Sequence, residues 1–403
     1  MTPRQRIFAI TWLSYFGFYL CRKNFSVIMP LLQRDLDFTP VELANAIFAF
    51  SLTYALGQFL MGEAADRFGP RLVVGMGMLA SALVTSMLGF AASIGAILAL
   101  QAANGLAQSA GWPGLIKMMA DWFPASRRGT VMAWWSTNYV LGGFLATVFA
   151  TFAATGPILE HLGWHRAAWW PAIGLTALGV LFLWIARNRP ADAPPRPVAH
   201  RGSAWSQVLR HPGVQAIAGA CFFLKITYGF LFWLPVYMTD RLQASTAEAG
   251  YSSSVFELVG FGGVLVAGYA SDHWFGARRV PVGVMLLACL AAACIAFPSL
   301  SIAGRLPNLL GIALLGAFTF GPDTLIGGAA VQDSVPAEIA ATAAGFANGM
   351  GAFGQLLSPY VIAGVSEKFG WSAVFYVLAT CALASAGLFS LRWNEEVARG
   401  KAE

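Results

Sequence analysis

The sequence predicts an all-α membrane protein of twelve transmembrane helices arranged as two six-helix repeats. Three observations carry that expectation. Of 403 residues, 57 % are hydrophobic and only 11 % charged, with a mean hydropathy of +0.63, whereas soluble domains carry about 25 % charged residues. Apolar runs long enough to cross a hydrocarbon core of about 30 Å recur along the whole chain. The two halves also repeat each other's motifs at matched positions.

Taken in order, the spans fall at about 7–30, 42–64, 71–91, 95–119, 128–151 and 167–186, then 213–238, 247–270, 280–298, 306–331, 338–363 and 371–391. Arg4 and Arg6 ahead of the first run imitate a signal peptide, but the run continues through Arg22 to Pro30 with no small-residue cleavage site, so it reads as a retained helix. Short connections make successive helices antiparallel neighbours. The exception is 187–212, rich in Pro, Arg and His, which reads as a cytoplasmic linker between an amino-terminal half (1–186) and a carboxy-terminal half (213–403).

Charge sets the expected orientation. With the amino terminus inside, sixteen Lys and Arg lie in inner loops and termini and five in outer loops, so both termini are expected in the cytoplasm. The net charge of +6 therefore points to membrane topology and not to nucleic acid. The five cysteines sit in apolar segments without paired spacing and read as small packing residues.

The repeat is visible in three pairs of segments. GEAADRFGPR (62–71) answers GYASDHWFGARR (268–279), WFPASRRGTVMAWW (122–135) answers SVPAEIAATAAGFA (334–347), and LGWHRAAWW (162–170) answers FGWSAVFYV (369–377). Each keeps its place within its half, which makes the repeat parallel.

Four cations remain inside spans: Arg22, Lys23, Lys117 and Lys225. A charge at the middle of a membrane helix costs about 2.5–3.5 kcal/mol on insertion scales and marks a functional site by default. Tyr15, Tyr19, Arg22 and Lys23 stand at i, i+4, i+7 and i+8, one helix face, and two phenols with two cations suit an anion. The alternative is that both cations snorkel outward past Pro30, about 12 Å further along the helix.

Glu257 reads either as a carboxylate that releases a cation when substrate binds or as half of a fixed pair with Lys225. Asp323, after Gly321-Pro322, reads as a sugar-hydroxyl ligand, as a proton carrier, or as a carboxylate neutralised by Lys225. Lys117 and Asp121 are spaced for a local salt bridge, with a pore-lining role for Lys117 as the alternative. Asp66, Arg67, Arg71, Asp272, Arg278 and Arg279 read as interdomain latches that gate the outward-facing state. Most tryptophans read as interface anchors, while Trp112 in Gly-Trp-Pro is placed to shape a pore.

No Walker loop, HExxH, GxSxG or zinc spacing is present. No enzyme activity, cofactor or metal is therefore expected, and transport would draw on gradients.

Two six-helix repeats around a long inner loop resemble the major facilitator superfamily. Within it, YFGFYLCRKNFSVIMP (15–30), NGLAQSAGWPGLIKMMADWF (104–123), FGPDTLIGG (320–328) and TAAGFANGMGAFG (342–354) resemble the organophosphate:phosphate antiporter family of glycerol-3-phosphate, hexose-phosphate and glucose-6-phosphate transporters. The resemblance implies a monomeric bacterial inner-membrane antiporter that exchanges an organic anion for inorganic phosphate. Arg22 would be its phosphate ligand, with Lys23, Tyr15 and Tyr19 lining the same pore.

The chain departs from the family pattern in helix 7. The second phosphate-binding Arg is expected six residues before Trp233, where this chain has Thr227, and the Asp before that Trp is Phe232. Lys225, about 200° around from Thr227, cannot take over in an unbroken helix. A helix 2 Lys and a helix 5 His of the glycerol-3-phosphate branch are Gln58 and Asn138 here. Rival readings are proton-coupled symport of a carboxylate or sugar-derived anion, motivated by the lost Arg and the added Asp323, and a membrane sugar-phosphate sensor.

Overall fold

A computed structural model describes residues 2–38, 40–155, 157–191, 204–244 and 246–393, and all regular elements among them are helices. Much of the expected linker lies outside the described residues, as do Arg196, Arg201, Arg399 and Lys401. Each of the twelve expected spans falls on helix, and among the described residues nine helices are long and apolar enough to cross a membrane.

The described residues form two compact units. One comprises Met1–Phe123, Trp135–Gln207 and Ala337–Gly349; the other Pro124–Trp134, Val208–Pro336 and Met350–Glu403.

The first unit begins with α1 (Pro3–Leu36), started by a Thr2–Gln5 capping box with Pro3 in the first turn. It continues through α2 (Pro40–Phe68), α3 (Pro70–Leu88), α4 (Ile94–Gln108), α5 (Gly111–Trp122), most of α6 (Arg128–Thr155), α7 (Arg166–Ile185) and the short α8 (Ala204–Arg210). Between α2 and α3 the chain turns through Gly69 at φ 87°, a conformation that only glycine adopts without strain. In this unit α2 packs on α4, α3 on α7, and α1 on α7.

The second unit holds α9 (Pro212–Tyr228), α10 (Leu234–Leu242), α11 (Thr246–His273), α12 (Arg279–Ile302), α13 (Arg305–Thr324), α14 (Val331–Ser334), most of α15 (Ala340–Phe369) and α16 (Trp371–Ser390). Its packing repeats that of the first: α11 on α13, α12 on α16, and α9 on α16. Both units contain a close helix approach of the same kind: a Cβ on Gly105 would meet the Phe50 carbonyl, and one on Gly316 would meet the Phe256 carbonyl. Small residues let membrane helices approach to backbone contact.

Two expected spans are not continuous. Segment 95–119 breaks between α4 and α5 at Ser109–Ala110, four residues ahead of Pro113. Segment 213–238 changes to a 3₁₀ turn at Gly229–Phe232, ahead of Pro235. In each case proline lacks the amide hydrogen for the carbonyl four residues earlier and crowds it. The Ile226 carbonyl, near the second break, accepts from the Ser358 hydroxyl at 2.8 Å, an approach open because Gly229 has no side chain. A π turn, Leu325–Ala330, lies in segment 306–331 and begins two residues after Asp323, and such turns concentrate at functional sites.

Candidate anion-binding site

In the first unit Tyr15, Tyr19 and Arg22 of α1 come together as their spacing predicts. The Arg22 guanidinium carbon lies 4.8 Å from the Tyr19 ring centroid, 4.9 Å from that of Tyr54 and 5.9 Å from that of Phe50. Rings at this range hold a cation by its attraction to their faces. Nε of Arg22 donates to Gln108 Oε1 at 2.8 Å. Gln108 is fixed in turn, its amide nitrogen donating to the Cys21 carbonyl at 3.0 Å and to Ser81 and Asn104 at 3.2 Å each. Ser81 and Asn104 also bond each other at 2.7 Å. This network aims the guanidinium, which is one way a protein pre-organises a recognition group.

The aim leaves valence unused. Nη2 of Arg22 is buried without a hydrogen-bond partner, as are the Trp112 indole nitrogen and both amide atoms of Gln58 and Asn138. Gln58 and Asn138 are 0 % exposed. These groups connect to the Arg22 cluster through their helices. Gln58 lies one turn beyond Tyr54 on α2, and Trp112 packs against Tyr15 at 5.5 Å and Trp135 at 5.7 Å. Asn138 follows Trp135 by three residues on α6, whose Gly142 sits against Phe16 and Tyr19. A buried polar group left unpaired costs about 1–3 kcal/mol, more when charged. Several such atoms in one region are what a polar, anion-bearing ligand would satisfy.

Lys23 and Tyr19 both lie against Gly143 of α6. Tyr54 and Gln108 were not among the residues expected from sequence. The available signal was the i, i+4 pair Tyr54 and Gln58 in an apolar helix, and the polar stripe Gln101, Asn104 and Gln108 in α4.

Lys117 does not pair with Asp121 as its spacing suggested. Its ammonium, 1 % exposed, pairs with the Asp66 carboxylate and separately donates to the Ala337 carbonyl at 2.7 Å. Asp66 also accepts from the Ala341 and Thr342 backbone amides at 3.2 and 2.6 Å and from the Thr342 hydroxyl at 2.6 Å, capping α15. In the second unit Asp272 does the same for α6, accepting from the Thr130 amide at 2.6 Å and pairing with Arg279. Arg279 extends to Asp333 at 3.1 Å and to the Ala125 carbonyl at 2.7 Å, while Arg128 reaches Asp333 at 2.7 Å. The segments that repeat in sequence therefore meet one another, and Asp333, which sequence reasoning did not single out, joins two of their arginines.

Arg71 and Arg278 serve a different purpose. Arg71 donates to the Leu183 carbonyl at 2.9 Å near the end of α7, and Arg278 to the Trp393 carbonyl at 2.9 Å just past α16. Cations at helix carboxyl ends satisfy carbonyls that lack partners. Arg67 is exposed, 5.3 Å from the Phe68 ring.

In the second unit Lys225 pairs with Asp323 at 2.8 Å and lies 4.4 Å from the Tyr228 ring centroid. Thr227, at the position where the family resemblance expects Arg, is turned the other way and donates to the Leu378 carbonyl of α16 at 3.3 Å. The break at Gly229 follows both residues, so Lys225 and Thr227 stay on opposite faces and Lys225 does not take over the Thr227 direction. Glu257 is not the partner of Lys225. It is exposed, on the α11 stripe that three turns later, at Gly268, meets Gly129 and Ala133.

The sequence profile of the Major Facilitator Superfamily matches residues 11–321 and again 238–403. A glycerol-3-phosphate transporter of Bacillus subtilis is 28 % identical over 416 residues, covering 97 % of this chain and 92 % of its own. A probable hexose phosphate transport protein of Chlamydia trachomatis is 27 % identical, covering 97 % and 91 %. These relatives bear out the resemblance to the organophosphate:phosphate antiporter family. Among solved structures, the human organic anion transporter MFSD10 superposes with a TM-score of 0.77 at 18 % identity over 96 % of this chain and all of that one, a likeness of fold alone.

Proposed function

Because the chain belongs to the Major Facilitator Superfamily, we propose that it is a secondary transporter that exchanges a phosphorylated metabolite for inorganic phosphate by alternating access. The metabolite is of the glycerol phosphate or sugar phosphate type, the class named for its relatives. The observation that carries this reading is the Arg22 guanidinium, held by Gln108 and three aromatic rings with Nη2 left unpartnered. Such a fork matches phosphoryl oxygens in bidentate fashion.

The chain works in a bacterial inner membrane as a monomer with cytoplasmic termini, a placement supported by the excess of inner-loop cations. Lys23, Tyr15, Tyr19, Trp112 and Asn138 line the anion site, and the Asp66 and Asp272 caps are elements that substrate-driven rearrangement must open. A ligand biases that equilibrium only through unequal affinity for the two states.

Thermal-shift measurement on the purified chain tests the ligand class. Inorganic phosphate, glycerol 3-phosphate and glucose 6-phosphate should each raise the unfolding temperature, while sulfate-free buffer with acetate or lactate should not. Stabilisation by the carboxylates alone would favour the carboxylate-symport reading.

A further inference from the structure

We propose that Gln108 is a positioning residue that decides which edge of Arg22 meets the anion. By accepting at Nε it closes the side-on fork of the guanidinium and leaves the terminal Nη1–Nη2 fork for two phosphoryl oxygens. As a neutral amide it does so without competing with the anion for charge. This role rests on the reading of Arg22 as the phosphate ligand.

All the groups involved lie in the first unit, on α1, α3 and α4. Their hydrogen bonds form a loop that leaves α1 at the Cys21 carbonyl and returns to it at the next residue, Arg22. Its polarity is set from both ends. The Cys21 carbonyl can only accept, so the Asn104 amide turns Nδ2 toward it, at 2.9 Å. Asn104 Oδ1 then takes the Ser81 hydroxyl hydrogen at 2.7 Å. What remains for Gln108 Nε2 is three acceptors, the Cys21 carbonyl at 3.0 Å and Ser81 Oγ and Asn104 Oδ1 at 3.2 Å each. At the other end the Arg22 Nε–H can only donate, and it meets Gln108 Oε1 at 2.8 Å.

A flipped Gln108 amide would set oxygen against the Cys21 carbonyl and Asn104 Oδ1, and donor against donor at Arg22. The orientation of an amide follows from its partners, and these partners allow one. Gln108 and Ser81 are 0 % exposed and Asn104 4 %, so the wrong orientation would strand buried polar groups, which is costly.

A guanidinium offers an oxyanion two planar forks, Nε with Nη2 from the side and Nη1 with Nη2 from the end. With Nε held by Gln108 the side fork is closed, and Nη2, buried and unpartnered, belongs to the open one. The groups that touch the guanidinium are the Gln108 amide and the Tyr19, Tyr54 and Phe50 rings, all neutral. A carboxylate at position 108 could accept from Nε equally well, but each incoming anion would then have to outcompete it in low dielectric. The amide holds the fork and leaves its charge to the ligand.

Isothermal titration of inorganic phosphate and glycerol 3-phosphate into the detergent-purified full chain tests this role through a double-substitution cycle. Gln108→Met keeps the volume but removes both amide functions, and should weaken both ligands about tenfold, the scale of a lost hydrogen bond to a charged group. In the Arg22→Lys background, where no Nε–H remains to be held, the same change should alter affinity by less than about twofold. A residue that only packs the bundle would give the same loss in both backgrounds, so equal losses would overturn the proposal. Gln108→Glu keeps an acceptor on Nε, and with it the fold, whether or not Gln108→Met survives purification. It should still bind phosphate at least about tenfold more weakly than wild type. Wild-type affinity in Gln108→Glu, or in folded Gln108→Met, would likewise overturn the proposal. A wild-type chain that binds neither ligand would instead overturn the reading of Arg22 as a phosphate ligand.

Discussion

Arg22→Ala is expected to weaken phosphate and sugar phosphate binding by about 2–5 kcal/mol, roughly 30-fold to several-thousand-fold, the usual cost of removing one partner of a buried charge pair. The substitution deletes the unpartnered Nη2 and leaves Gln108 Oε1 without its donor. Gln108 itself stays in place through the Cys21 carbonyl, Ser81 and Asn104. The fold should therefore survive with a loss of about 1–2 kcal/mol. Arg22→Lys keeps the charge but not the fork or the Nε bond, and its binding loss should fall between wild type and Arg22→Ala. Isothermal titration of phosphate against the three proteins makes the comparison. Equal affinity in all of them would remove Arg22 from the site.

The second large effect is on stability. Asp66→Ala takes the carboxylate from Lys117, which is 1 % exposed, and from the Ala341 and Thr342 amides of α15. A buried cation stranded in this way costs about 3–5 kcal/mol. Lys117→Met should cost less, about 1–3 kcal/mol, because Asp66 keeps three other donors. The double variant should then be more stable than Asp66→Ala alone, since no unpaired charge remains. Asp272→Ala should also be milder than Asp66→Ala, because Arg279 retains Asp333 and the Ala125 carbonyl. Thermal unfolding of the four variants in one detergent reads this order. A double variant less stable than Asp66→Ala would show that the ion pair is not what the substitution strands.

Much of this arrangement was legible in the sequence, and the parts that were not share a cause. The α1 stripe could be read because Tyr15, Tyr19 and Arg22 lie on one helix, where spacing alone sets direction. Tyr54 and Gln108 could not, because what brings them to Arg22 is the proximity of α2 and α4 to α1, which no local pattern encodes. The breaks at Ser109–Ala110 and Gly229–Phe232 were written in Pro113 and Pro235, yet long apolar runs on either side argued for continuous spans. Lys117 misled because a nearby i, i+4 acid is the obvious partner, whereas Asp66 arrives from fifty-one residues away. Lys225 and Asp323 were paired in one reading among several, and the two side chains do meet, 2.8 Å apart.

The central claim, anion exchange at Arg22, is tested most directly by transport itself. Proteoliposomes loaded with radiolabelled inorganic phosphate should release it when glycerol 3-phosphate or glucose 6-phosphate is added outside, and retain it when buffer alone is added. The same vesicles carrying Arg22→Ala protein should release almost none. Release from wild-type vesicles that is independent of external phosphate ester, or undiminished in Arg22→Ala vesicles, would contradict the account.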